Sequence, residues 1–376
     1  MKSAVALAFV ACLLLCAQAR AQTLVYALSY SETQASSRAR FANVSPAPGL
    51  RSEVENIAML RNTRKNEIYS VSVTDGKRSL LFSDEGMHLE IRPAGAVSPT
   101  GKAYTSGTWR ERRTTPIPGF YSDDGIYELT LDGSNHFRKI ADDQKQGRAV
   151  LNPQGTKAAA ESADDKSIFI YRVADWKLLA TLDLEKLAKT HCPDCSASYG
   201  WMADGNRLHI ELVGGEEEDA KADHPGAYIL SEDGADLGAI PADIGSFHVA
   251  GYIHSNFIER QFQGQLPDGR YLFLDYGAKQ GKSPGQTEPF LIISGNDSMP
   301  QKTFPLKFAI GGFISPSGKY LAYIERRTTS DYRSELHLWV KNLETDEDKE
   351  LASFPPPAPP SSPEPNQTIF ILGWMN

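Results

Sequence analysis
The sequence predicts an all-β fold, a six-bladed β-propeller closed by pairing of its N-terminal strand with its C-terminal strand. Three observations predict it. A strand–turn–strand unit recurs with a period of about 50 residues, the spacing of a four-stranded blade. The segments between the turns alternate apolar and polar residues, the mark of a half-buried strand. The last strand of the chain repeats the inner strand of an earlier unit but lacks its hairpin partner, which stands at the other end of the chain.

The recurring turn reads Ala96-Val-Ser-Pro-Thr-Gly101-Lys102, then Val150-Leu-Asn-Pro-Gln-Gly155-Thr156. Trp201-Met-Ala-Asp-Gly205-Asn206, Gln265-Leu-Pro-Asp-Gly269-Arg270 and Ile314-Ser-Pro-Ser-Gly318-Lys319 follow. The glycines are 54, 50, 64 and 49 residues apart. Proline pre-sets the first turn position, and glycine supplies the positive φ that closes a hairpin. After each hairpin comes an alternating strand, as in Gly125–Leu131, Ser167–Val173 and Glu335–Val340, and then a weaker fourth strand such as Lys77–Phe82 or Lys349–Phe354. At the C-terminus, Gly373-Trp374-Met375 repeats Gly200-Trp201-Met202. Its missing partner is Thr23–Tyr30, so the two ends are expected to share one composite blade beside five internal ones. The region from Phe247 to Leu266 holds more strand-like sequence than one inner strand needs.

These motifs resemble the TolB-like β-propeller family, relatives of WD40-type repeats. The resemblance rests on Ser98-Pro-Thr-Gly-Lys102, Leu266-Pro-Asp-Gly-Arg270 and Ser315-Pro-Ser-Gly-Lys-Tyr-Leu-Ala322, and it covers nearly all of the chain after its leader. It implies the fold and says little of function, because one fold hosts many sites. The same repeat caps prolyl-oligopeptidase-type enzymes, but no segment here reads as their hydrolase domain.

Residues 1–21 read as a secretory signal peptide: Lys2 is the basic start, Ala4–Cys16 the apolar run, and Ala19-Arg20-Ala21 the cleavage site. A lipoprotein reading at Ala11-Cys12 fits less well, since the apolar run continues past it. Residues 22–376 are expected to form one propeller, with an insert at 31–65 in the composite blade and a Pro-rich loop at 355–365. The chain is then periplasmic or secreted, and no later stretch is apolar for long enough to form a transmembrane segment. Losing Lys2 and Arg20 leaves 37 basic against 47 acidic residues, moving the formal charge from −8 to −10. Such a balance argues against nucleic acid as a partner.

Strand direction alternates within a blade, so its four kinds of connection fall on two faces. One face carries short turns, including Asp132-Gly-Ser134 and Asp233-Gly-Ala235. The other carries long connections: 31–65, 107–124, 183–196, 214–224, 277–288 and 355–367. Long loops on a rigid scaffold are where binding concentrates. Helices are expected from the capping pattern Ser52-Glu-Val-Glu55 and from Asp183–Ala188.

Cys192 and Cys195, the two cysteines left after cleavage, are read as a local disulfide. A redox reading needs a thiolate at a helix N-terminus, whereas this pair follows a helix. A zinc reading would add His191 but has no second cysteine pair. The acidic run Gly214–Asp219 reads as solvated surface, with a hard cation as the alternative. His248 and His254 read as satisfied polar residues. The paired Arg112-Arg113 and Arg326-Arg327 each follow the second strand of a unit, on the two blades flanking the composite one. Guanidinium forks bind carboxylates, so these four are the candidate ligand-binding residues; ion pairs with Glu111 and Glu325 are the alternative. The function expected is an exported, non-catalytic binding or scaffold propeller for a protein or cell-envelope ligand on the long-loop face, with no catalytic residue, metal or cofactor. The alternative is a lactonase-like or other hydrolase with a metal in the ring channel. That needs converging oxygen ligands, where Ala96, Val150, Trp201 and Phe313 are apolar.

Overall fold
A computed structural model describes residues 22–31, 65–84, 97–98, 100–112, 120–142, 149–162, 164, 166–192, 195–213, 226–240, 260–275, 290–294, 300–305, 309–328, 334–356 and 366–375. Strands β1 (Thr23–Ser31), β2 (Lys65–Ser72) and β3 (Arg78–Ser83) belong to the first blade. The second holds β4 (Lys102–Arg112), β5 (Phe120–Thr130) and β6 (Phe137–Asp142), its innermost position marked by a bridge from Val97 to Ala103. The third holds β7 (Ala149–Leu151), β8 (Lys157–Glu161), β9 (Ser167–Arg172) and β10 (Lys177–Asp183), and is followed by helix α1 (Leu184–His191). The fourth runs through β11 (Ser196–Trp201), β12 (Arg207–Val213), β13 (Gly226–Ser231) and β14 (Asp236–Ala239). Strands β15 (Arg260–Gln265), β16 (Tyr271–Asp275), β17 (Phe290–Ser294) and β18 (Pro300–Pro305) make the fifth. The sixth is β19 (Ala309–Ile314), β20 (Tyr320–Thr328), β21 (Ser334–Asn342) and β22 (Asp348–Phe354). The last strand, β23 (Asn366–Met375), joins the first sheet in the order β23-β1-β2-β3. The register runs antiparallel from Thr23 opposite Met375 to Ser31 opposite Asn366, so the chain ends do share a blade.

Ring closure shows in the cores as well as in the sheets. The six clusters of buried apolar side chains each fill one seam between neighbouring blades, the sixth-to-first seam included. Strand β1 explains why a propeller strand is apolar on both faces. Leu24, Tyr26 and Leu28 pack toward blade six with Ile324 and Leu338, while Val25 and Ala27 pack toward blade two with Tyr127 and Leu129. Strand β23 divides likewise: Ile369, Ile371 and Trp374 join the first group and Leu372 the second. Burial of this kind is the main favourable term in folding.

The repeated turn has one geometry. The glycine N–H donates to the carbonyl three residues back at Gly101, Gly155, Gly205, Gly269 and Gly318, over 2.8–3.1 Å. All five have φ between 67° and 90°, the left-handed region that a side chain disfavours. Two of these turns tie blades three and four together, Asn152 Nδ2 donating to Gly205 O at 3.2 Å; elsewhere Lys349 Nζ of blade six donates to Val73 O of blade one at 2.7 Å.

The sequence echo between Trp201 and Trp374 is a structural one. Trp201 Nε1 donates to Val150 O at 2.9 Å, and Trp374 Nε1 to Phe313 O at 3.0 Å. In each case the indole of one inner strand clasps the carbonyl of the inner strand one blade earlier.

Three expectations need correction. The stretch 107–124 is not a loop, because β4 and β5 stay paired from Lys102 opposite Thr130 to Arg112 opposite Phe120. A hairpin satisfies its own backbone donors and acceptors, so it extends past the ring without apolar alternation. The arginine pairs therefore do not follow their strands: Arg112 lies in β4, and Arg326 and Arg327 lie in β20. The last connection ends at 365, since Asn366 and Gln367 already pair with Ser31 and Tyr30. The helix expected at Asp183 is α1; Asp183 caps it, Oδ1 accepting from Lys186 N at 2.8 Å. The helix expected at Ser52, the acidic run Gly214–Asp219, His248, His254 and residues 1–21 lie outside the described residues, as do 247–259 of the Phe247–Leu266 stretch. No helix among the described residues is long and apolar enough to cross a membrane.

Candidate functional site
The strand ends place the arginines. Arg326 and Arg327 stand at the end of β20 nearest the long connections, opposite Leu336 and Glu335. Arg327 Nη2 donates to Glu325 at 2.9 Å, and its guanidinium lies 5.8 Å from the Trp339 ring centre. Glu325 is buried, so it anchors Arg327 on the blade. Arg326 is exposed and makes no ion pair among the described residues. Arg112 takes the same kind of position at the far end of β4, opposite Phe120. Its side chain and the whole of Arg113 lie outside the described residues, and blade one stands between the two pairs.

Cys192 and Cys195 form a disulfide with Cα atoms 5.4 Å apart. It closes the end of α1, and Cys192 is buried in the core between blades three and four. Both sulfurs are consumed, so neither is a thiolate ligand or nucleophile. His191 is held as well: its ring stacks 4.0 Å from that of Tyr228, and Nε2 lies 2.7 Å from Asp236 Oδ2. Among the described residues no group of three or more His, Cys, Asp or Glu is gathered to hold a metal ion.

The described cavity lies elsewhere, on the short-turn face between blades two and three, with a volume of about 490 Å³. Ser98 and Thr100 line its inner end, from the turn before β4. Lys102, Glu128, Arg138 and Lys157 line its middle, and Arg172, Ala174 and Leu179 its outer end. The chemistry centres on Glu128, which shares with Ile126 the buried face of β5 toward blade three. Lys102 Nζ and Arg138 Nε each donate to its Oε1 at 2.9 Å, and Tyr104 Oη donates to Oε2 at 3.0 Å. Burial pushes its carboxyl up, but the bonds from Arg138, Lys102 and Tyr104 outweigh this and hold it below the ordinary 4.5. Burial, and then the same carboxylate, pushes the Tyr104 phenol well up. The Tyr104 ring stacks 5.9 Å from Trp176, which stacks 5.2 Å from Tyr171, bracing the seam.

A lowered folded value means that Glu128 contributes stability above its unfolded value, lost as pH falls below about 4.5 through the folded value. Glu128→Gln is therefore expected to cost about 1–3 kcal/mol at neutral pH, the scale for a polar group losing partners. The gap from the parent should close on acidification. Chemical denaturation of both proteins across the acid range checks this; a gap that does not change with pH would contradict it.

Sequence reasoning passed over this cluster. The available signal was a carboxylate at an inward position of Gly125–Leu131, since a buried charge demands partners.

The frame defines the class of protein: a closed six-bladed β-propeller. No protein-family model matches the chain, and no curated protein matches it. Solved structures do. A putative TolB from Agrobacterium tumefaciens is similar at 11% identity and a TM-score of 0.43, over 93% of this chain and 98% of that one. TolB from Acinetobacter baumannii is similar at 14% identity and a TM-score of 0.39, over 78% of this chain and 66% of its own. An oligogalacturonate lyase from Vibrio parahaemolyticus is similar at 8% identity and a TM-score of 0.42, over 77% and 81% respectively.

Proposed function
We propose that the protein is an exported, non-catalytic binding scaffold. It takes a protein or cell-envelope ligand on the face of the long connections through Arg112, Arg113, Arg326 and Arg327. The observation that carries this reading is the contrast within β20: Arg327 is spent on Glu325, while its neighbour Arg326 is exposed without an ion partner among the described residues. A guanidinium on a rigid strand loses little freedom when it binds a carboxylate, and its planar fork suits one. Export is supported by the Cys192–Cys195 disulfide, a bond that persists in oxidising compartments. The scaffold needs no cofactor and no metal.

Changing Arg112, Arg113 and Arg326 to Ser, with Arg327 kept as the partner of buried Glu325, should cut retention of the envelope partner at least tenfold without moving the melting temperature. Surface arginines contribute little to folding. Lys319→Ser, on the short-turn face, should leave retention unchanged. Quantitative cross-linking in living cells of the source organism reads both; equal losses from the two changes would overturn the proposal.

A further inference from the structure
The cavity between blades two and three belongs to neither the arginine pairs nor the long-connection face. Its two walls do not bond to each other. Lys102, Arg138 and Tyr104 bond to Glu128 on their own blade. Arg172 bonds to Asp175 on its own blade at 2.8 and 2.9 Å. Lys157 turns away to blade four, to Asn206 at 3.0 Å and to Glu232. No hydrogen bond or ion pair joins the lining side chains of blade two to those of blade three among the described residues. The two blades are held together by their apolar core and the Tyr104–Trp176 stack, while the polar lining stays unstitched.

Its charge does not balance. Four cations line it against the single carboxylate of Glu128. Counting Asp175 and Glu232 as well still leaves one cation in excess, because Lys102 and Arg138 share one carboxylate oxygen. The shape is that of a short radial trough. It runs from the first-strand turn to the fourth strand, three interstrand spacings or about 14 Å, which matches about four extended residues. At its outer end Leu179 is 47% exposed, sitting where the β9–β10 register slips. A single exposed leucine is ordinary on a surface. Here it forms the apolar end of a trough whose middle is cationic.

We propose that this trough is a docking groove for a short extended peptide segment of a partner protein, carrying one carboxylate for the cationic middle and one apolar side chain for Leu179. The carboxylate meets Arg138, which is exposed, and Lys102 beside it, the two cations that share a single Glu128 oxygen and so carry the excess charge. The apolar side chain covers Leu179 and the outer wall at Ala174. This site is separate from the one proposed above, and its failure would leave that reading untouched.

The test uses the full chain and an array of acetylated, amidated tetrapeptides with every residue type at every position. Binding should be enriched at one position for Asp and Glu over Asn and Gln, and at another for Leu, Ile and Phe. The best soluble tetrapeptide should bind at least tenfold more weakly to Arg138→Ser, which leaves Lys102 and Tyr104 on Glu128. It should also bind at least tenfold more weakly to Ala174→Trp, which blocks the trough without removing a charge. Ala174 is exposed in a turn, so Ala174→Trp should melt with the parent. An array without acidic enrichment would overturn the proposal. So would a peptide that binds Ala174→Trp undiminished, or free acetate binding as tightly as the peptide.

Discussion

Removing Thr368–Asn376 unfolds the whole ring rather than fraying one end. The segment supplies Ile369, Ile371 and Trp374 to the seam between blades six and one, and Leu372 to the seam between one and two. Each such side chain contributes about 1.5–3 kcal/mol on burial, so the four together contribute about 6–12 kcal/mol. That rivals the net stability of a typical domain, about 5–15 kcal/mol. The deletion also breaks the Trp374–Phe313 bond between inner strands and leaves β1 with an unpaired apolar edge, which invites aggregation. The expected outcome is loss of the cooperative melt and recovery in aggregates. A truncated protein with a cooperative melt at the parental temperature would show that the ends do not close the ring.

Breaking the carboxylates around Lys341 has the next largest effect. This lysine is 1% exposed on β21. Its ammonium lies 2.6 Å from Asp346 Oδ1 and 3.2 Å from Asp348 Oδ2, and 5.4 Å from the Phe304 ring centre on blade five. Asp348 also accepts from Tyr323 Oη at 2.9 Å, and burial with that carboxylate pushes the phenol well up. Asp346→Ala/Asp348→Ala strands a buried charge, which costs about 3–5 kcal/mol. Lys341→Met, by contrast, fills the same space without a charge and is expected to be near neutral. In the Lys341→Met background the two aspartate changes should cost far less. Denaturant midpoints of the variants read this; equal aspartate costs with and without Lys341 would contradict it.

Much of the frame was legible because a propeller writes its geometry locally. The turn glycines need positive φ, so Gly101, Gly155, Gly205, Gly269 and Gly318 marked the blades. Trp374 echoed Trp201 because each makes the same clasp to a neighbouring inner strand. The β4–β5 hairpin was hidden for a physical reason. Backbone pairing alone sustains it beyond the ring, and Gly107 with Asp123-Asp124 reads as loop chemistry. The trough was hidden for another. Its walls, Lys102 on one side and Lys157 on the other, come together only because consecutive blades stack. Each residue alone looks like an ordinary charge after a turn. Glu128 was the one local sign, a carboxylate on a strand buried on both faces.

Native-state hydrogen exchange on β23 tests ring closure most directly. Amides locked in an interior ladder exchange only through large-scale unfolding, whereas those of a frayed end exchange through local opening. The account predicts that the Thr368–Trp374 amides that bond to β1, alternate ones along the strand, are protected as strongly as those of β20 and β21, with a common dependence on denaturant. Exchange of β23 far ahead of β20 and β21 would contradict a ring closed by its two ends.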